Sequence, residues 1–202
     1  MNRKITIYGL LFVMLTSFYS CPSLADIDET NINRIIESAN KGDINAQFIL
    51  GRMFYLGEGV KKDYHKSAEW FTKAADQGDY KSQFCLGCMY EKGQGVRQDY
   101  YKAVEWYTKA ANQGVADAQL NLGNMYSEGK GVRQDYHKAV EWFTKSANQG
   151  NAKAQYNLGI MYNDGEGVRQ DMHKAKDFFG KACDNGLQDG CDAYRELNMK
   201  GY

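Results

Sequence analysis

Reactive side chains fall into three arrangements in this 202-residue chain. Cys85 and Cys88 form a Cys-x-x-Cys pair, the spacing of a dithiol redox motif or of half a tetrahedral zinc site. Dithiol exchange of that kind sits where a strand runs into a helix start, and zinc needs a second such pair or nearby histidines. The surrounding sequence supplies neither. Packed side chains or an incidental disulfide are therefore the favoured readings, ahead of redox sensitivity and metal binding. Ser127-x-x-Lys130 and Ser38-x-x-Lys41 pair a hydroxyl with an amine, the first element of one class of serine acyl-transfer enzyme. That chemistry also needs Ser-Asp-Asn and Lys-Thr-Gly elements, and the chain contains neither. His65, His137 and His173 are the only histidines, and they occupy one position of a 36-residue period. Spread along an array they cannot converge on one centre, so they read as solvated surface. No nucleophile with a fixed base emerges. The expectation is no catalytic residue, no metal and no cofactor.

The scaffold that must hold these residues is a tandem repeat. Residues 43–78 align without a gap to 79–114, 115–150 and 151–186, each unit 36 residues long. In the third copy the shared skeleton is Ala118-Gln119, Leu122-Gly123, Met125-Tyr126, Gly129, Gly131-Val132, Asp135-Tyr136, Lys138-Ala139, Trp142-Phe143, Lys145 and Gly150. Ala118, Leu122, Met125 and Tyr126 fall at i, i+4, i+7 and i+8, one face of a first helix. Gly129-Lys130-Gly131 breaks that helix, Asp135 is placed to cap a second one, and Gly150 ends it. Ala139, Trp142, Phe143 and Ser146-Ala147 form the inner stripe of the second helix. A glycine recurs in mid-helix at Gly51, Gly87, Gly123 and Gly159, at a cost of roughly 1 kcal/mol each relative to alanine. Such repetition implies close approach by a neighbour, expected to be Trp70, Trp106 and Trp142, with Phe178 in the fourth unit. The loops Gly57-Glu58-Gly59, Gly93-Gln94-Gly95, Gly129-Lys130-Gly131 and Gly165-Glu166-Gly167 recur in every unit. That makes them structural connections and not a single phosphate cradle.

The flanks read as caps. Residues 26–42 supply an N-terminal capping helix in which Ser38-Ala39-Asn40 matches Ser146-Ala147-Asn148, with Arg34 in the tryptophan position. Residues 187–202 supply a C-terminal capping helix that has lost the Leu-Gly-x-Met-Tyr pattern. Residues 1–25 read as a secretory signal peptide: Arg3 and Lys4, an apolar run from residue 5, and Ser23-Leu24-Ala25 before a cut after Ala25. Lipidation at Cys21 is the competing reading of the same stretch. Cleavage removes two bases and no acid, so 25 basic and 25 acidic side chains become 23 and 25. That balance argues against nucleic acid as a partner, and no later segment is apolar enough to cross a membrane. The expected location is periplasmic or secreted.

The pattern Ala-Gln-x-x-Leu-Gly-x-Met-Tyr, Gly-x-Gly-Val, Asp-Tyr-x-Lys-Ala and Trp-Phe/Tyr-x-Lys-Ala-Ala, in four copies over residues 43–186, resembles the Sel-1-like repeat. This is a longer relative of the tetratricopeptide repeat, and the cysteines point to its secreted, cysteine-containing bacterial branch. The resemblance implies an all-α fold, a right-handed α-solenoid of antiparallel helix pairs. It also implies a disulfide between Cys183 and Cys191, eight residues apart as in secreted members of the family. Such a bond would hold the C-terminal cap with about 2 to 3 kcal/mol by chain-entropy reasoning.

Function is implied in the same way. First helices line the concave wall of such solenoids, which points to Asn45, Phe48, Arg52 and Tyr55 in the first unit, and Lys81, Phe84, Cys88 and Glu91 in the second. The third and fourth units contribute Asp117, Leu120, Asn124 and Ser127, then Lys153, Tyr156, Ile160 and Asn163. These positions change from unit to unit while the skeleton hardly varies. Phe48, Phe84, Leu120 and Tyr156 share one register, which fits packing between units as well as a groove lining. The expected activity is non-catalytic binding of a protein or peptide in the groove by a monomer. The alternative, also from the resemblance, is a cell-wall or β-lactam-binding protein with weak β-lactamase activity.

Overall fold

The computed structural model describes residues 29–202; the leader, Cys21 and the cut after Ala25 lie outside the described residues. Among the described residues ten helices follow one another: α1 (Glu29–Asn40), α2 (Ile44–Leu56), α3 (Tyr64–Asp76), α4 (Tyr80–Lys92), α5 (Tyr100–Asn112), α6 (Ala116–Glu128), α7 (Tyr136–Ala147), α8 (Ala152–Asp164), α9 (Met172–Asp184) and α10 (Gln188–Met199). Among the described residues there is no strand. Each helix packs chiefly on its neighbours in sequence, so the chain is an α-solenoid of stacked hairpins.

The helix ends follow from local chemistry. Asp63, Asp99, Asp135 and Asp171 each accept from the backbone amide three residues on, capping the second helices. Asp43, Asp79 and Asn151 do the same for first helices, whereas Val115 and Leu187 provide no side-chain cap. The first helices stop at Gly57, Gly93, Gly129 and Gly165, whose φ of 68 to 79° lies in the left-handed region.

The mid-helix glycines do meet an aromatic ring, but not the expected one. A Cβ on Gly51 would lie 2.7 Å from Phe71, and one on Gly123 2.5 Å from Phe143; Gly87 and Gly159 stand as close to Tyr107 and Phe179. The residue after each tryptophan, not the tryptophan, fills the hollow. One residue is a turn of about 100° on a helix, enough to move a ring off the hairpin seam. Trp70, Trp106 and Trp142 are half-buried beside it, each with a lysine amine (Lys73, Lys109, Lys145) 3.9 Å above its ring.

Units are joined through buried glutamines. Gln47, Gln83, Gln119 and Gln155 donate backwards to the carbonyls of Ala39, Ala75, Ala111 and Ala147 in the preceding helix, at 3.1 to 3.2 Å. Their carbonyl oxygens accept from Gln77, Gln113, Gln149 and Asn185 at the end of their own second helix, at 2.7 to 2.9 Å. Every buried amide is thereby satisfied on both sides, as a low-dielectric interior requires. At the end of the array Cys183 and Cys191 are disulfide-bonded, with Cα atoms 4.5 Å apart, tying α9 to α10.

Candidate interaction surface

The first helices α2, α4, α6 and α8 stand side by side and form one wall, continued by α10. Side chains bridge them directly. Tyr55 donates to Gln94 at 3.0 Å, the Lys81 amine lies 5.5 Å from the Phe48 ring centre, Asn151 donates to Asp117 at 2.9 Å and Asn157 to Asn124 at 3.1 Å.

The expected lining residues divide by exposure. Asn45, Asp117 and Lys153 are exposed, and Arg52, Tyr55, Lys81, Phe84, Glu91, Asn124, Tyr156, Ile160 and Asn163 are half-buried. Cys88, Leu120, Ser127 and Phe48 are only 3, 7, 7 and 8% exposed and belong to the core. The register of Phe48, Phe84 and Tyr156 explains the last of these. Their rings pack 5.4 to 6.0 Å from Phe71, Tyr107 and Phe179, the aromatics that fill the glycine hollows. The wall also carries a row absent from the expected lining: Ile49, Cys85, Asn121 and Asn157, all half-buried. Its signal in the sequence is unit-to-unit variation of the same kind as that of the expected lining.

The second unit is chemically distinct. Tyr107 takes the place of Phe71, Phe143 and Phe179 and is fully buried. Its hydroxyl lies 2.6 Å from Glu91 Oε2 and 3.2 Å from Cys88 Sγ. A phenol has one proton, and the charged carboxylate at the shorter distance takes it. Burial pushes the Tyr107 phenol well above its ordinary value, with the nearby Cys88 and Glu91 adding to the effect. Burial likewise raises Cys88 to about 12 and Cys85 further, and Tyr55 to about 12 with help from Tyr64. Both thiols are free and held in the protonated form, the unreactive one. Among the described residues no group of three metal-binding side chains exists.

The two Ser-x-x-Lys matches place no base against a serine. Ser127 Oγ donates to Asn124 O at 2.9 Å, while the Lys130 amine pairs with Glu128 at 2.5 Å. The Lys41 amine pairs with Glu37 at 2.6 Å. His65, His137 and His173 are exposed on α3, α7 and α9, with Tyr101 at the same position of α5. A Cβ on Gly131 would strike the Tyr100 carbonyl of the preceding unit, so this loop glycine serves stacking.

Comparisons with known proteins agree with this architecture. A family model described as the Sel1 repeat matches residues 44–79, 81–115, 116–151 and 152–187. The chain is similar to the secretory immunoglobulin A-binding protein EsiB of Escherichia coli, 38% identical over 66 residues. That match covers 33% of this chain and 14% of EsiB. Among solved structures, a protective antigen of uropathogenic Escherichia coli with an SLR fold superposes with a TM-score of 0.82 at 37% identity. It covers 85% of this chain and 37% of that one. A Sel1 repeat protein from Oxalobacter formigenes gives a TM-score of 0.75 at 36% identity, over 85% of this chain and 50% of that one. The chain thus spans half or less of each of these relatives. Proteins of this kind are generally non-catalytic scaffolds that mediate protein–protein interaction. Four matched repeats, folded as stacked helix hairpins, make this chain a member of the Sel1 repeat family.

Proposed function

We propose that the protein is a non-catalytic interaction module, exported to the periplasm or beyond, that as a monomer holds a protein or peptide partner on the concave wall of its first helices. One observation carries this reading. The capping aspartates, the glycine–aromatic contacts and the glutamine bridges recur in every unit, whereas most wall positions vary between units. Packing demands repeat with the scaffold; a partner touches each unit differently. Arg52, Tyr55, Lys81, Glu91, Asn124, Tyr156 and Ile160 supply half-buried charge, amide, aromatic and aliphatic groups of the sort that anchor interfaces. The relative named for binding secretory immunoglobulin A supports protein as the class of partner. Export is supported by the leader pattern and by the Cys183–Cys191 disulfide, a bond that persists in oxidising compartments.

The test is affinity capture with tagged mature protein on envelope and extracellular fractions, comparing wild type with a wall variant, Arg52→Glu plus Tyr156→Ala, and an outer-face variant, Lys145→Glu. A defined protein recovered by wild type and by Lys145→Glu, and lost with the wall variant, is the expected result. Recovery that survives the wall changes but not the outer one removes the wall as the binding surface.

A further inference from the structure

Charge is unevenly distributed along the first helices and the C-terminal helix that continues them. The helices α2 and α4 carry three basic side chains (Arg52, Lys81, Lys92) against Glu91, a net of +2. The helices α6, α8 and α10 carry two basic side chains (Lys153, Arg195) against six acidic ones, a net of −4. No such swing occurs on the second helices, where α3 is neutral and α5, α7 and α9 each carry +1. Asp189 and Glu196 lie near enough to Tyr156 for their charges to oppose its ionisation, after the larger effect of burial. By the 36-residue period Asp189 and Glu196 stand one unit on from Lys153 and Ile160 and are exposed, and an aromatic face with carboxylates in its neighbourhood favours a cation. Glu196 pairs with Lys200 at 2.6 Å, but both are more than half exposed, and a pair of that kind is worth under about 1 kcal/mol and can change partners.

Between these groups lies a run of carboxamides. Asn157 Nδ2 donates to Asn124 Oδ1 across the α6–α8 seam, a bond that uses neither Asn124 Nδ2 nor Asn157 Oδ1. Among the described residues Asn121 makes no side-chain hydrogen bond. A carboxamide offers two donors and one acceptor, the same groups that a peptide unit presents in complementary form. Peptide units of a helix are already bonded to one another and cannot use such a run, whereas those of an extended chain are free to. We infer that the wall of α6, α8 and α10 seats an extended segment of a protein partner bearing lysine or arginine, its main chain read by Asn121, Asn124 and Asn157 and its cations by Asp117, Asp189 and Glu196. This rests on the wall being the interaction surface, and it specifies what that surface reads.

Fluorescence anisotropy with three synthetic probes on the mature protein tests it: an unstructured Lys-Ser alternating 12-mer, its Glu-Ser counterpart, and a helix-stapled lysine peptide of equal charge. The Lys-Ser probe is expected to bind at least tenfold tighter than the other two and to weaken several-fold with added salt. Asp189→Asn plus Glu196→Gln should reduce that affinity about tenfold. Asn121→Ala plus Asn157→Ala, which alters no charge, should reduce it several-fold, as should N-methylation of alternate residues in the probe. Equal binding of the glutamate probe, preference for the stapled helix, absence of Lys-Ser binding, or indifference to the asparagine changes each overturns the inference. If these probes fail while partner capture still depends on Arg52 and Tyr156, the interaction reading stands and only its specificity is wrong.

Discussion

The Tyr107 hydroxyl is fixed 2.6 Å from Glu91 Oε2, linking α5 to the end of α4 in the one unit where tyrosine stands in place of phenylalanine. The other three units fill the same hollow with a plain ring, so the hydroxyl is an addition to a packing scheme that works without it. Tyr107→Phe is expected to lower stability by about 1 to 2 kcal/mol, the range for a hydrogen bond to a charged group with one partner still half-exposed. Urea unfolding at pH 7 measures it. An unchanged midpoint would mean that water replaces the phenol without loss.

Alkali should unfold the protein earlier than it does a domain with exposed tyrosines. Tyr107 and Cys85 are raised above their ordinary values, and Tyr55 and Cys88 to about 12. In the unfolded chain these groups lose protons between about pH 8.5 and 10. The folded state keeps them, so stability is whole below that window and falls as pH rises through it toward the folded values. The buried Tyr107 and Cys88 each contribute up to about 1.4 kcal/mol per pH unit, and the half-exposed Tyr55 and Cys85 less because solvent screens them. Midpoints of urea unfolding from pH 7 to 11 should therefore decline, less steeply in Tyr107→Phe. A flat profile counts against the burial described for these groups.

Ser82 occupies the position of Ala46, Ala118 and Ala154 and is completely buried. Its hydroxyl has no hydrogen-bond partner among the described residues. Ser82→Ala removes a desolvated polar group without opening a cavity, and is expected to stabilise by about 1 kcal/mol. A lower melting temperature in calorimetry would contradict this.

Gly123→Ala drives a Cβ to within 2.5 Å of the Phe143 ring. The ring cannot withdraw without disturbing the stacked core, so a loss of about 1 to 3 kcal/mol is expected, with part recovered when Phe143→Leu is added. Additive losses in that double variant, by thermal melts, would place the strain elsewhere.

Reduction of Cys183–Cys191 should loosen the last hairpin first. Cys183→Ser with Cys191→Ser is expected to cost about 2 to 3 kcal/mol by chain-entropy reasoning. Hydrogen exchange should quicken in α10 ahead of α2 to α8; uniform quickening would show that the cap and the array unfold as one.

The solenoid was legible because its determinants are local and repeated. The capping aspartates, the terminating glycines and the i, i+4, i+7 apolar spacing each act within a dozen residues, and four copies average out accident. Choosing between Trp142 and Phe143 as the partner of Gly123 was different, since adjacent positions on one helix differ by direction and the sequence displays only size. The wall was half legible for a related reason. Variation between units points to Arg52, Asn124 and Ile160, which the fold leaves half-buried, but it cannot separate a variable residue that faces outward from one turned inward, such as Cys88 or Ser127. Asn121 and Asn157 share the register of Cys85 and Ile49, where residue type alone gives no sign of a wall position. The Tyr107–Glu91 link joins residues 16 apart through geometry that no spacing rule encodes.

The glutamine bridges bear on how such a protein can change length over evolutionary time. Each unit carries its own connector, an amide that reaches back to its predecessor and is steadied by its own second helix. A duplicated block of 36 residues therefore arrives with both joints already made, and splices into the stack without new compensating substitutions. A gain or loss of any other size between two glutamines throws the downstream joints out of phase. Growth and shrinkage by whole units is the path this architecture leaves open.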